Sequence, residues 1–172
     1  AADGLLASSS ADERLARPVV DLLLVAGDRQ RAAEHALAAG REALASADLA
    51  EAVRFFELAR SQDSPASSRQ ALWELGRVEN RLGHTDRAED CYRAILGLEP
   101  GGLDQGRAWF GIGQCRYNRG EHPQALEALE RAQALFTPSE DSESALGYSR
   151  VLRTLAAVAA ELPGVPIPDP DV

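Results

Sequence analysis

The side chains that could perform chemistry in this sequence are few and widely separated. Three histidines (His35, His84 and His122) and two cysteines (Cys91 and Cys115) occur without CxxC or HxxxH motifs, and the cysteines are 24 residues apart. A structural metal site requires about four ligands held close together. We therefore expect no metal site, and we interpret the cysteines as buried, reduced thiols of a cytoplasmic protein.

Motifs for nucleotide binding and nucleophilic catalysis do not occur either. All 18 basic residues are arginine, so a Walker-type lysine cannot be present, and no GxSxG is found. The glycine-rich stretch at 101–106 follows a predicted helix rather than a strand, which argues against a phosphate-binding loop. The acidic residues Glu140, Asp141 and Glu143 open a predicted helix, where negative charge suits the helix dipole. We expect no catalytic residue and no cofactor, and hence not an enzyme.

Composition and charge exclude further classes. The chain has 172 residues, 45% of them hydrophobic, with alanine and leucine dominant, which favours a globular helical protein. A net charge of −9 argues against nucleic-acid binding. The longest apolar candidate, VVDLLLVA at 19–26, is too short to cross a membrane. Arginine in place of lysine suggests a bacterial source, and the absence of methionine suggests a piece of a larger protein.

An apolar residue followed by glycine recurs along the chain and marks an internal repeat. The pairs begin at Ala39, Leu75, Ile112 and Leu146, at spacings of 36, 37 and 34 residues. After the first three pairs come a small or turn residue, then an alanine, then a large apolar residue, at fixed offsets. These positions are Ala47, Gly83 and Gly120; Ala52, Ala88 and Ala125; and Phe56, Tyr92 and Leu129. Such a period indicates stacked copies of one supersecondary unit.

Each copy has the pattern of a helical hairpin. In the second copy the apolar residues of 70–82 share one side of a helix, Gly83 suits its end, and Pro100 ends the next helix. Because glycine inside a helix is less stable than alanine by about 1 kcal/mol, we expect Gly40, Gly76 and Gly113 to mark close helix contacts. The alanine of the second helix would face each glycine. The two predicted apolar faces are Ala71, Leu72, Leu75, Val78 and Leu82, and Ala88, Cys91, Tyr92, Ile95 and Leu96.

The third copy, Trp109, Ile112, Gly113, Ala125, Leu129 and Ala132, resembles the tetratricopeptide repeat, with its W-x₂-L-G and A-x₃-F pattern. The resemblance implies an all-α superhelix, or solenoid, of about three hairpins, at 33–66, 69–102 and 106–139. An additional helix precedes them within a domain of 12–162, and a capping helix at 141–162 closes it. We expect residues 1–11 to be disordered and the proline-rich residues 163–172 to form a linker or tail.

In stacked repeats of this type the first helices line a concave groove. Ten side chains at groove positions are arginine, aromatic or amide residues, although the chain as a whole is acidic. We predict a groove that grips carboxylates with arginine and holds an apolar anchor on aromatic rings. The alternative is a merely solvated face, with Glu74, Glu79 or Asp104 pairing with the arginines. The groove residues are Arg41, Trp73, Arg77, Asn80, Arg81, Arg107, Phe110, Gln114, Tyr117 and Asn118.

Three functions are compatible with this pattern. The first is a non-catalytic module that binds a protein or peptide, acidic with an apolar anchor, with no nucleic-acid or membrane partner. The second is a sensor or regulatory arm of a larger bacterial signalling or transcription-regulating ATPase, which residues 19–59 resemble. The third is a scaffold for homo-oligomerisation. Some relatives bind chaperone tails through a two-carboxylate clamp, but at one of its five positions this sequence has Glu74, which would repel a carboxylate.

Overall fold

The structure is a computed structural model that describes residues 16–62, 64–98, 101–136 and 142–162, with only the backbone described for 142–145. The described part of the chain contains helices and no strand, which confirms the predicted all-α fold. Helix α1 is described over residues 16–25. The helices that follow are α2 (Arg29–Ala45), α3 (Leu49–Arg60), α4 (Pro65–Arg81), α5 (Thr85–Gly97), α6 (Gly102–Asn118), α7 (His122–Leu135) and α8 (Ser142–Ala160).

Two compact units divide the chain. Unit 1 is Ala1–Val78 and unit 2 is Glu79–Val172, with the division in the last turn of α4. In unit 1, α2 packs against α3; in unit 2, α6 packs against α5, α7 and α8. The turns within α2–α3 and α6–α7 are only three residues long, so each pair forms an antiparallel hairpin.

Four turns between helices use the same backbone conformation. Each contains one residue with positive φ: Gly27 at 77°, Ala47 at 63°, Gly83 at 80° and Gly120 at 76°. The residue after it donates its N–H to a carbonyl five positions back, as in a Schellman motif. The four bonds are Asp28 to Leu23 (2.9 Å), Asp48 to Ala43 (2.8 Å), His84 to Glu79 (2.9 Å) and Glu121 to Arg116 (2.9 Å). The predicted turn residues are therefore confirmed.

Two of these turns also start the next helix with a side-chain cap. The Arg31 N–H donates to Oδ1 of Asp28 at 3.2 Å, and the Glu51 N–H donates to Oδ1 of Asp48 at 2.9 Å. These bonds satisfy amides that have no partner within the helix. In unit 2 the corresponding residue His84 makes no cap, because its ring contacts the Glu79 carboxylate at 2.7 Å.

The glycine of the first helix lies directly against the large residue of the second. A Cβ added to Gly40 would lie 2.5 Å from Cε1 of Phe56, and one added to Gly113 would lie 2.7 Å from Cγ of Leu129. The predicted close approach is thus confirmed in these two copies. The predicted partner needs correction: the large side chain fills the space, while Ala125 contributes only its carbonyl oxygen, 3.4 Å from that added Cβ.

In unit 2, the ring of Phe136 is packed beside two glycines on different helices. A Cβ on Gly147 of α8 would lie 2.6 Å from this ring, and a Cβ on Gly106 of α6 would lie 3.1 Å from it. Tyr92 of α5 packs in the same way on Gly111 of α6, at 2.6 Å. The core around Phe136 also contains Ala125, Leu129, Ala132, Val151, Leu155 and Val158.

The predicted apolar faces are largely buried, with particular exceptions. Leu82 was expected inside but is 41% exposed, because the helix ends before it and the chain turns at Gly83. Cys91 and Leu96 are half-buried rather than buried. The predicted disordered segment 1–11 and the predicted tail 163–172 lie outside the described residues. The repeat boundaries stay predictions.

Candidate functional site

The ten predicted groove residues all lie on surface positions of α2, α4 and α6. The anchoring glycine of α2, and that of α6, faces the second helix of its hairpin. Residues one, four and five positions later are rotated by about 100°, 40° and 140° around the helix axis, so they lie together on one side of that contact. None of the ten is buried. Arg41, Arg77, Arg81 and Asn118 are exposed, and Trp73, Asn80, Arg107, Phe110, Gln114 and Tyr117 are half-buried. Three of the ten belong to unit 1 and seven to unit 2.

In unit 1 the structure brings two predicted arginines together around one carboxylate. Nε of Arg41, on α2, lies 3.4 Å from Oε1 of Glu74, and Nη1 of Arg77 lies 3.0 Å from Oε2. The Glu74 side chain is 11% exposed, whereas the two arginine side chains are 51% and 54% exposed. We call Arg41, Trp73 and Arg77, with Glu74 between the arginines, the arginine patch.

The arginine patch is less basic than the sequence suggested. The Glu74 carboxylate lies between two guanidinium groups, so the formal charges of these three side chains sum to one positive charge. Leu72 is buried, while the adjacent Trp73 is half-buried. The predicted arrangement, in which Leu72 belongs to the core and Trp73 faces outward, is thus the one found. The patch combines two half-exposed arginines, paired with one carboxylate, and a half-buried tryptophan that is adjacent to this glutamate in sequence.

In unit 2 the ends of α4 and α6 meet at a second surface. Nδ2 of Asn118 donates to Oδ1 of Asn80 at 3.0 Å, joining the last turns of the two helices. Arg81 lies next to Asn80 and is exposed, and Tyr117 precedes Asn118 and is half-buried. We call Asn80, Arg81, Tyr117 and Asn118 the amide edge. The Tyr117 ring also meets the ring of His122 edge-on, with centroids 5.5 Å apart.

The remaining predicted residues lie further along α6. Nη1 of Arg107 lies 3.5 Å from Oδ1 of Asp104, one turn earlier, so this arginine is paired, as the alternative interpretation required. Phe110 packs partly against the unit 2 core, and Gln114 is half-buried one turn later. These side chains extend the accessible surface of α6 away from the amide edge.

One further residue occupies a position equivalent to a groove position, outside the ten predicted residues. Tyr148 follows Gly147 as Arg41 follows Gly40. It is half-buried and packs against the unit 2 core from α8. The Leu146-Gly147 pair, which marks a fourth copy, is the signal that could have identified it.

One charge cluster of unit 2 joins two helices. Glu89 of α5 is 3% exposed and contacts three arginines, with Arg93 of α5 at 2.7 Å, Arg116 of α6 at 3.1 Å and Arg119 in the turn after α6. Arg119 also donates to Glu121 at 2.9 Å, and this hydrogen bond holds the pKa of the Glu121 carboxyl below its usual range. The cluster ties α5 to α6 and leaves Glu89 inaccessible to a ligand.

The described thiols and metal-ligand side chains were also predicted to be structural or unclustered. Burial raises the pKa of the Cys115 thiol from 9.0 to about 12, and the nearby Glu89 carboxylate adds to this shift, so the thiol is not nucleophilic at neutral pH. Within the described residues, no group of three or more histidine, cysteine or acidic side chains could hold a metal ion. No helix in the same part of the chain has the length and apolar character needed to span a membrane.

The repeat pattern and the paired helices agree with a match to a family model. The model described as tetratricopeptide repeat matches residues 37–102 and 81–140. The chain belongs to the tetratricopeptide-repeat family. Proteins built from these repeats are generally non-catalytic scaffolds, and in general terms this chain is a protein–protein interaction module.

A solved structure shows the same fold. The structure described as the MamA RS-1 ArsTM double mutant superimposes with a TM-score of 0.54 over 83% of this chain and 93% of that one, at 15% sequence identity. At this identity the likeness concerns the fold alone. A comparison with curated proteins finds no significant match.

Proposed function

We propose that this tetratricopeptide-repeat chain is non-catalytic and binds a partner protein through a segment that carries carboxylates and an apolar side chain. The observation that carries the proposal is the arginine patch, in which Glu74 holds Arg41 and Arg77 together while both remain about half exposed. The regulatory-arm assignment, the bacterial source and the cytoplasmic location stay predictions.

Arg41 and Arg77 are held in place by Glu74 and retain N–H donors for an incoming carboxylate. A guanidinium group has five N–H donors, and among the described residues each arginine gives one of them to Glu74. The buried carboxylate restricts both side chains before a ligand arrives, which lowers the entropy lost on binding. The other donors support the bidentate geometry that arginine forms with carboxylates.

Accessible aromatic rings supply the apolar half of the proposed recognition. Trp73 is half-buried in unit 1, and Phe110 and Tyr117 are half-buried in unit 2. Partly covered tryptophan and tyrosine often carry much of the binding energy of an interface, since they bury a large area with few rotatable bonds. Each patch is proposed as a contact in its own right.

The experiment begins with a peptide-display selection on the intact chain, followed by calorimetry on the selected peptide. The test variant is Arg41→Ala/Arg77→Ala. The matched control is Arg54→Ala/Arg60→Ala, which removes two exposed, ion-paired arginines from α3 and changes the net charge equally. We expect the test variant to weaken binding about tenfold or more, in line with lost charge-assisted hydrogen bonds, and to reduce its salt dependence. Equal affinities for the two double variants would refute the proposal.

A second function, self-association, is favoured by one specific feature of unit 1. Val19, Leu22 and Val25 are 40%, 72% and 90% exposed at three-residue intervals along α1, and apolar stripes of this kind often mark association sites. Sedimentation equilibrium of the unchanged chain and of Leu22→Asp/Val25→Asp tests it. Concentration-dependent dimers that the double variant abolishes would establish this function, and a monomer at all concentrations would dismiss it.

A further inference from the structure

We propose that residues 163–172 of the chain dock on the amide edge of its own unit 2, as an internal occupant of a partner-binding surface. The inference rests on the proposed function, because it assigns to the amide edge the same ligand chemistry of carboxylates and apolar side chains. Those residues, PGVPIPDPDV, lie beyond the described part of the chain, and the argument uses only their sequence and their point of attachment.

The sequence of this segment matches the proposed ligand. Val165 and Ile167 provide apolar side chains, and Asp169 and Asp171 provide carboxylates. The four prolines favour the extended polyproline conformation, which loses little entropy on binding. Such segments are recognised by aromatic rings with donors for the backbone carbonyls.

The amide edge offers the complementary groups. The Tyr117 ring is half-buried, and the next residue, Asn118, has its side-chain amide joined to that of Asn80. Each side-chain amide has two N–H donors. The bond between them, at 3.0 Å, uses one N–H of Asn118, so one N–H of Asn118 and both of Asn80 remain for carbonyl oxygens. The Val–Pro, Ile–Pro and Asp–Pro peptide bonds of this segment lack an N–H but keep the carbonyl acceptor, so a proline-rich backbone suits a surface of donors.

Charge at this edge favours an acidic occupant. Arg81 is exposed and forms no ion pair with any residue that the structure describes. Nearby acids are already paired: Glu79 lies 2.7 Å from His84 and 3.2 Å from Arg87, and Asp86 lies 3.2 Å from Arg119. A carboxylate brought to Arg81 would therefore gain a partner there.

The point of attachment places the segment within reach. Gly106 and Gly147, near the starts of α6 and α8, both contact the ring of Phe136. Tyr117 and Leu162, near the ends of these helices, pack against one core, so both helices end on the same side of unit 2. Asp169 lies seven residues beyond Leu162, which is about 22 Å of polyproline-type chain at about 3.1 Å per residue. Crossing from α8 over α6 to α4 requires roughly 16–20 Å, since packed helices lie about 8–10 Å apart. Asp169 can thus reach Arg81.

Docking would have a functional consequence. A tethered segment acts at a high effective concentration, on the order of millimolar, so an external partner must displace it from the amide edge. The segment would then act as a built-in competitor, and its acidic residues would set the threshold for binding at this surface.

The test uses two-dimensional NMR of the full chain. The variant Asp169→Asn/Asp171→Asn should shift the side-chain amide signals of Asn80 and Asn118 and the backbone signal of Arg81. The control Asp90→Asn, an exposed acid on α5, should leave them in place. In an Arg81→Ala background the same tail substitutions should lose most of their effect, whereas an Arg54→Ala background should preserve it.

Three outcomes would overturn the docking. They are shifts confined to residues 163–172, shifts of equal size in the Arg81→Ala background, and shifts that disappear on tenfold dilution, which would indicate binding between chains. The arginine patch is not involved in this experiment. Loss of the tail contact with intact peptide binding at Arg41 and Arg77 would refute this inference alone.

Discussion

The ring of Phe56 packs on the backbone of Gly40 so closely that a methyl group at position 40 would lie 2.5 Å from Cε1. Gly40→Ala should therefore destabilise the chain by about 1–3 kcal/mol, as overpacking does, although alanine is the better helix former. Urea denaturation followed by circular dichroism measures this. The control Gly97→Ala, where an added Cβ meets nothing within 4 Å, should be neutral or stabilising. Equal effects of both substitutions would contradict the packing.

Ala47 occupies the left-handed position that glycine holds in the other three turns, with φ of 63°. Because this conformation costs an alanine about 1–2 kcal/mol, Ala47→Gly should raise the free energy of unfolding by about 1 kcal/mol. The reverse substitution Gly83→Ala should lower it by a similar amount. Thermal denaturation of the pair provides the comparison, and a fall in stability for Ala47→Gly would show that the turn is not strained.

Glu89 is almost fully buried among three arginines, so its neutralisation should be costly. Glu89→Gln leaves the guanidinium groups of Arg116 and Arg119 facing an amide, and removing one partner of a buried ion pair typically destabilises by roughly 3 kcal/mol. The adjacent Asp90→Asn, on an exposed side chain, should change stability by less than about 0.5 kcal/mol. Chemical denaturation of both variants checks this, and similar midpoints would argue that the cluster is not structural.

The Cys115 thiol, with its pKa raised to about 12 by burial, should resist alkylation in the folded protein at pH 8. In a Cys91→Ser background, mass spectrometry should detect labelling only at the rate of unfolding, and complete labelling in guanidinium chloride. Because the unfolded thiol ionises near pH 9 and the folded one does not, stability should decline as pH rises above 9. Rapid native labelling would show that Cys115 is accessible.

The hairpin unit could be predicted from the sequence because it depends on residues at fixed short offsets. The turn residues Gly83 and Gly120 and the contact of Gly113 with Leu129 follow from steric properties that repeat in each copy. The contact of Tyr92 with Gly111 was not predicted, because it joins one copy to the next and has no counterpart in a single-copy pattern.

The charged interior could not be predicted for a related reason. Glu89 lies next to Asp90 on α5, yet Glu89 is buried and Asp90 is exposed. The partners of Glu89, Arg116 of α6 and Arg119 of the turn after α6, come 27 and 30 residues later in the chain. Nothing in the local sequence distinguishes Glu89 from the exposed Asp90. Ion pairs between helices depend on rotamers and packing angles, which periodicity does not encode.

For the candidate site, the sequence identified which residues reach the surface but not what they contact there. All ten predicted side chains are accessible, since the helix period alone determines which face is outward. Helix period does not indicate that Glu74 would bridge Arg41 and Arg77, or that Asn80 and Asn118 would bond to each other. These partners define the proposed recognition more sharply than the list of groove positions.

The placement of Phe136 has a consequence for protein engineering. Its ring packs against both Gly106 and Gly147, so the packing of α8 on α6 relies on two positions without a Cβ atom. A design that adds a binding unit next to α8, or that replaces these glycines with alanine, would first have to replace Phe136 with a smaller residue.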